Sequence, residues 1–255
     1  MKLENQISHW ISNYLKENNL ETLVIGISGG IDSAVTSTIC AMTGYNTKLV
    51  IMPIHQNIDE TQRGLNHCNF LKDNYENIEV LKSDLTDIYE EFIKKIPSEF
   101  KNKLSLANTR ARIRMTFLYM VAGSTNGIVV GTGNKVEDFG VGFFTKYGDG
   151  GVDISPIADL MKTEVYELAK SLKINQEIMD ALPTDGLWDD GRTDEDQLGI
   201  SYDELEWAMN YDGLKKINKS QQNIIDIYLN HRNTNIHKMK PVPIFKKQSE
   251  KELEK

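Results

Sequence analysis

Hydrophobic positions along this chain switch between two spacings. Leu3, Ile7, Trp10, Ile11, Tyr14 and Leu15 recur at helical intervals and predict an amphipathic first helix. Residues 23–27 then form an unbroken apolar run rich in β-branched side chains, as expected of a strand buried on both faces of a parallel sheet. This run passes into SGGIDS at 28–33, after which Ala34, Val35, Ile39 and Met42 restore the helical spacing. Residues 48–54 (KLVIMPI) predict a second strand ending at Pro53, 59–72 a helix and 78–81 a third strand. Leu85, Ile88 and Phe92 support a helix closed by Pro97, residues 104–121 a long helix, and 128–130 a fourth strand. Residues 140–153 are glycine-rich and predict neither helix nor central strand. Further helices are expected from about Ala158 to Leu172, at 202–209 and at 220–232.

Strands alternating with helices imply βαβ units: an α/β fold with a doubly wound, mostly parallel sheet and helices on both faces. Residues 1–255 read as one domain without repeat or linker, with a charged tail from Lys246 to Lys255 expected to fray. In such sheets ligands lie beyond the carboxyl ends of strands. The turn at Ser28 and the turn at Thr132 both occupy that place, so they are expected to share one site.

The first of these turns has a definite chemistry. Glycines let the backbone approach a ligand and take positive φ, and the free N–H groups at a helix start attract phosphate. Ser28 and Ser33 add donors, and Asp32 adds a carboxylate suited to a metal riding on those phosphates. No lysine follows as in Gly-x-x-x-x-Gly-Lys-Ser/Thr, and Gly-x-Gly-x-x-Gly is absent too. The bland alternative is a tight strand-to-helix turn with no ligand.

Composition narrows the partners. The net charge of −8 gives no general attraction to nucleic acid or anionic membranes, though it permits a local basic cleft. Cys40 and Cys68 form no CxxC pair and fit a reduced compartment. There is no apolar leader and no run able to cross a bilayer, so a cytoplasmic location is expected. Helical geometry turns Arg112 away from Arg110 and Arg114, which suggests that one of these arginines meets a ligand while its neighbours face solvent. Phe143, Phe144, Lys146, Tyr147, Asp149 and Asp153 punctuate the glycine-rich stretch with rings and charges, as in ligand-gripping loops. The acidic run at 183–198 suits a mobile lid, or a metal loop whose spacing it does not match.

The spacing Ser-Gly-Gly-x-Asp-Ser resembles the pyrophosphate loop of the N-type ATP pyrophosphatases, an adenine nucleotide alpha hydrolase-like, Rossmann-like group. GISGGIDS at 26–33, NTRARIRM at 108–115, GTGNKVED at 131–138, FFTKYGDGG at 143–151, Lys162, Pro183-Thr184 and His237-Lys238 together resemble ammonia-dependent NAD synthetase over almost the whole chain. The resemblance implies that ATP adenylylates the nicotinate carboxylate of deamido-NAD, releasing pyrophosphate, and that ammonia then displaces AMP to give NAD. It implies that Gly26, Ile27, Ser28, Gly29, Gly30, Ile31, Asp32 and Ser33 wrap the ATP phosphates. By the same resemblance Asp32 and Glu137 bind Mg²⁺, Thr132, Lys162 and Thr184 contact ATP, and Lys162 offsets charge as pyrophosphate leaves. Arg112, Lys146, Asp153, His237 and Lys238 are implied to hold deamido-NAD, at the interface of a homodimer.

The chain departs from that family in places. Many bacterial members read Gly-Thr-Asp-His-Ala-Ala-Glu where GTGNKVE stands here, which leaves the contacts of Asn134 and Lys135 open. The arginine motif usually starts with lysine, here Arg110, and Trp188 is inserted among the aspartates after Thr184. The length leaves no room for a fused glutamine-hydrolysing domain. Two rival readings are another ATP pyrophosphatase, such as a tRNA-thiolating enzyme or a GMP synthetase core, and a non-enzymatic adenine-nucleotide sensor. The first calls for a basic RNA surface and catalytic cysteines. The second has no need of two separated carboxylates.

Overall fold

The computed structural model describes residues 1–184, 186–187 and 191–247. Its centre is a sheet of four parallel strands: β1 (Thr22–Gly26), β2 (Asn46–Ile51), β3 (Ile78–Lys82) and β4 (Gly127–Val129), in the order β3-β2-β1-β4. Register places Val24 opposite Lys48 and Val129, and Leu49 opposite Val80. A parallel bridge from Val130 to Ile154 extends the sheet beyond β4.

Helices α1 (Leu3–Glu17), α2 (Ile31–Met42), α3 (Ile58–Asn74), α4 (Thr86–Lys95) and α5 (Lys103–Ser124) alternate with these strands. Then come α6 (Lys162–Ser171), the short α7 (Gln176–Met179) and α8 (Asp194–Leu198), α9 (Tyr202–Asn210) and α10 (Lys219–Met239).

The alternation of side chains along each strand decides the layers. Leu23, Ile25, Leu49, Ile51 and Ile128 face α1, α2, α3, α6 and α7. Val24, Val50 and Val129 face the other way, against Leu85, Tyr89 of α4 and Met115, Leu118 of α5. Both faces are dry, which explains the uninterrupted apolar runs. A third, smaller cluster joins Leu198, Tyr202 and Leu205 to Val136 and Val141, and α10 packs on it through Ile224, Ile227 and Tyr228.

Chain direction reverses at β1: the path to β2 and β3 leaves on one side, and β4 returns on the other. Such a switch point leaves a crevice beyond the strand ends. The segments after β1 and β4 line it, as their sequence positions require.

Several boundaries differ from expectation. β2 stops at Ile51; Met52 and Ile54 are buried but lie past the strand. The helix expected from Ala158 begins at Lys162, because residues 155–160 form turns. The last helix continues seven residues past Arg232 to Met239, since neither glycine nor proline interrupts it before Pro241. His237 and Lys238 therefore stand on its final helical turn. A π-helical turn at Val136–Val141 reaches into the glycine-rich stretch that was expected to lack helix. Ile88 and Phe92 do mark a helix, but they face solvent while Leu85 and Tyr89 are buried. Asp185, Trp188, Asp189 and Asp190 of the acidic run, and the tail from residue 248, lie outside the described residues.

Candidate active site

At the end of β1 the chain must turn sharply into α2. Gly29 takes φ +89°, and a Cβ there would lie 2.3 Å from the Glu60 carbonyl oxygen. Only glycine meets both conditions. The Ser33 hydroxyl donates to the Gly30 carbonyl at 2.9 Å and sits 3.1 Å from Ser28 Oγ, which accepts from the Gly30 N–H. These bonds hold the turn and leave the first N–H groups of α2 at the crevice.

Asp32 lies in the first turn of α2, Glu137 on the π-helical turn after β4, and Lys162 opens α6. Three distant stretches thus meet. Lys162 Nζ donates to Asp32 Oδ2 at 2.6 Å and to Glu137 Oε1 at 3.0 Å, and the lysine side chain is only 3% exposed. Burial disfavours its charge, but the two carboxylates outweigh that and hold its pKa above the ordinary lysine value. Asp32 is pushed up by burial and by Glu137, against the pull of Lys162. Glu137 is held down despite burial, by the Lys162 ammonium and the Tyr202 hydroxyl. Two carboxylates around one ammonium leave a surplus negative charge, which suits a further cation.

Asn134 answers the question its sequence left open. Its amide donates to Asp32 at 3.1 Å, and its oxygen accepts from the N–H groups of Val136 and Glu137. It fixes one carboxylate and the backbone of the other. Asp138 lines the same crevice, and its carboxyl is pushed up to about 8 by burial, then by Glu137, Asp149 and Asp32. A Cβ at Gly133 would fall 2.2 Å from that carboxylate, so the glycine makes room for it.

The crevice brings together most of the residues expected around ATP: Gly26–Ser28, Gly30–Ser33, Thr132, Glu137, Lys162 and Thr184 all line it, while Gly29 shapes it from behind. Thr184 Oγ1 donates to Glu60 Oε1 at 2.9 Å, and Glu60 also accepts from Gln56. Gln56 in turn accepts from Arg114 at 2.8 Å, and Arg114 donates to the Met52 carbonyl at 3.0 Å.

The arginines of α5 correct one expectation. Arg112 does point away from its neighbours, but those neighbours do not face solvent. Arg110 is buried, donating to the Leu187 carbonyl at 3.1 Å beneath the Tyr89 ring, and Arg114 lines the crevice. Arg112 is the exposed one; its guanidinium donates to the Lys146 carbonyl at 3.3 Å.

Lys146 Nζ donates to the His237 carbonyl at 3.5 Å, and Lys238 Nζ to the Phe144 carbonyl at 2.7 Å, so the last turn of α10 is tied to the FFTKYGDGG stretch. Lys146, Lys238, Lys240, Tyr119, Phe144 and Tyr147 border a second, more open groove. Burial lowers the pKa of Lys238, partly offset by Asp149 and Asp138. Of the other residues expected there, Asp153 accepts from the Tyr119 hydroxyl at 3.0 Å and from the Val129 N–H at 2.7 Å. Asp153, Arg112 and His237 do not border the groove directly; Arg112 and His237 reach it through Lys146.

The sequence reading missed Asp138, Tyr202, Asp194, Arg114, Gln56 and Glu60. One signal was available: Ser201 and Glu204 form a capping box, which starts α9 at Tyr202 and turns that ring inward.

Comparison with known proteins agrees with this geometry. Its relatives share much of the chain: the NH3-dependent NAD+ synthetase of Alkaliphilus metalliredigens is 39% identical over 215 residues, covering 81% of this chain and 84% of that protein. The corresponding synthetase of Thermococcus kodakarensis is 41% identical over 208 residues, covering 80% and 78%. Among solved structures, NMN synthetase from Francisella tularensis superposes with a TM-score of 0.83 at 34% identity, covering 95% of this chain and 96% of that one. The NH3-dependent NAD synthetase from Campylobacter jejuni gives 0.77 at 28% identity, covering 96% and 98%. A sequence model of NAD synthase matches residues 3–250, and the chain belongs to the NAD synthase family.

Proposed function

We propose that the chain makes NAD from deamido-NAD, ATP and ammonia, with the crevice between β1 and β4 as its ATP site and the groove at Lys146 and Lys238 as its acceptor site. The observation that carries this reading is the meeting of Asp32, Glu137 and Lys162 beside the start of α2. The phosphates of ATP lie on the turn from Ser28 to Ser33, where N–H groups and hydroxyls replace their water. Lys162 moves from the two carboxylates toward the phosphates and offsets charge as pyrophosphate departs. Asp32 and Glu137 would hold Mg²⁺, for which the surplus negative charge and hard oxygen donors are suited. When bound, that ion neutralises phosphate charge on the leaving pyrophosphate. The nicotinate carboxylate attacks the α-phosphorus, and the adenylate so formed is attacked at its acyl carbon by ammonia, with AMP leaving. Lys146 and Lys238 hold the acceptor's diphosphate, and Arg112 keeps Lys146 in place.

One domain carries both halves of the site, since α5 and the FFTKYGDGG stretch contribute to each. A homodimer is the expected assembly. Ile88, Phe92, Leu104 and Met120, exposed on α4 and α5, offer apolar surface that a second copy would cover. Among the described residues no helix is long and apolar enough to cross a membrane. The free, buried thiols of Cys40 and Cys68 suit the cytoplasm.

The test is product analysis with ATP, Mg²⁺, deamido-NAD and ammonium. NAD, AMP and pyrophosphate in equal amounts support the reading; AMP and pyrophosphate without NAD overturn the acceptor. A second reading rests on the likeness to the F. tularensis NMN synthetase. That protein is named for NMN as its product, so on this reading the acceptor here is the mononucleotide acid. A larger kcat/KM for the mononucleotide than for deamido-NAD decides for it.

A further inference from the structure

Helix α9 stands behind the Asp32–Lys162–Glu137 cluster and reaches it twice from one face. Glu206 accepts from the Thr163 N–H at 2.9 Å and from its hydroxyl at 2.7 Å, closing the first turn of α6 next to Lys162. One helical turn earlier, the Tyr202 hydroxyl donates to Glu137 Oε1 at 2.6 Å, and its ring lies 4.8 Å from Lys162 Nζ. The same hydroxyl is 3.2 Å from Asp194 Oδ2, at the first residue of α8, and both Tyr202 and Asp194 are buried.

A phenol has one proton to give. Its short bond goes to Glu137, which also accepts from Lys162 Nζ. If Lys162 leaves to meet phosphate, the tyrosine contact to the carboxylate stays. The ring is packed among Leu198, Ile200, Leu205 and Val136, so the hydroxyl is held rigidly. Asp194, anchored by its N–H to the Pro183 carbonyl at 3.0 Å, takes the weaker share of that same proton at 3.2 Å, as in a three-centre bond.

We propose that Tyr202 is a positioning residue: its hydroxyl keeps the Glu137 carboxylate turned toward Asp32 throughout the reaction, and Asp194 holds that hydroxyl in place. This rests on the role given to Glu137 above. It also gives Asp194, within the acidic run at 183–198, a task other than binding metal itself.

Tyr202→Phe keeps the ring and its packing and removes only the hydroxyl. The expected result is about a ten-fold loss of kcat with KM for the acceptor unchanged. Independently of turnover, the Mg²⁺ concentration that half-saturates the ATP-dependent rise in Tm increases several-fold. Asp194→Asn shows the same pattern more weakly, and adding it to Tyr202→Phe changes nothing further. If Tyr202→Phe does not fold, the Asp194→Asn kcat and Mg²⁺ midpoint decide. Unchanged kcat and Mg²⁺ midpoint in the folded variant, or strictly additive effects of the two substitutions, overturn the proposal. A wild-type chain that forms no NAD speaks against the reaction assigned above, and the thermal readout then still decides the role of Tyr202.

Discussion

The two ends of the site are built on opposite plans. At the crevice, Lys162 is buried, Asp32 and Glu137 are mostly buried, and the three satisfy one another at 2.6 and 3.0 Å. At the groove, Arg112, Lys146 and Lys238 are less buried and donate to backbone carbonyls of Lys146, His237 and Phe144. Buried charges need partners before the ligand comes, because an unpaired charge in a dry place is costly. Exposed cations need only a support that aims them, since water serves them until an anion arrives. The first end is therefore coupled to the stability of the fold, and the second to affinity for the acceptor.

Substitutions should separate the two accordingly. Lys162→Met leaves two mostly buried carboxylates without their shared cation. Without Mg²⁺ it should lose about 3–5 kcal/mol of unfolding free energy, and NAD formation should fall at least a hundred-fold. Denaturant unfolding and turnover measure the two effects; full stability would break the contrast drawn here. Gly29→Ala sets a Cβ against the Glu60 carbonyl at positive φ, and should lose about 1–3 kcal/mol from backbone strain alone together with most ATP binding. Calorimetric titration with ATP checks this, and wild-type affinity would show that the turn tolerates the methyl.

At the open end the effect is smaller and falls elsewhere. Arg112→Ala should raise KM for the acceptor several-fold with stability changed by no more than about 0.5 kcal/mol. A Tm shift of many degrees would mean that this end too is part of the frame.

Asp138 lies between the two ends, and its effect is read through pH and not through turnover. Its carboxyl titrates near 8 in the folded chain, up from 3.8, so folding favours its protonated form. That contribution is fully present below 3.8 and is lost as pH rises through about 8. In the absence of Mg²⁺, Tm of the wild type should fall from pH 5 to 8.5 more than that of Asp138→Asn. Parallel curves would remove Asp138 from the list of perturbed groups.

Much of this was legible in the sequence where periodicity and local chemistry agree. The dry strands, the turn at Ser28 and its partner after β4 follow from apolar runs ending in glycine and small polar residues. Membership of the NAD synthase family was legible in the same motifs. The rest depended on distance in space. Nothing local says that Lys162 sits between Asp32 and Glu137, which lie 130 and 25 residues away. The inward faces of Arg110 and Arg114 arise from contacts with Met52 and Gln56 after β2 and with the loop at Leu187, which helical geometry alone cannot choose between. Helix ends also escaped, at Lys162 where turns delay the start and at Met239 where no residue stops the helix early.

The most direct measurement is the steady-state kinetics of Lys146→Ala with ATP and deamido-NAD varied in turn. The account predicts about a ten-fold rise in KM for deamido-NAD, equivalent to about 1.4 kcal/mol, with KM for ATP unchanged. An equal rise in both, or a rise for ATP alone, would contradict the division of the site into an ATP crevice and an acceptor groove.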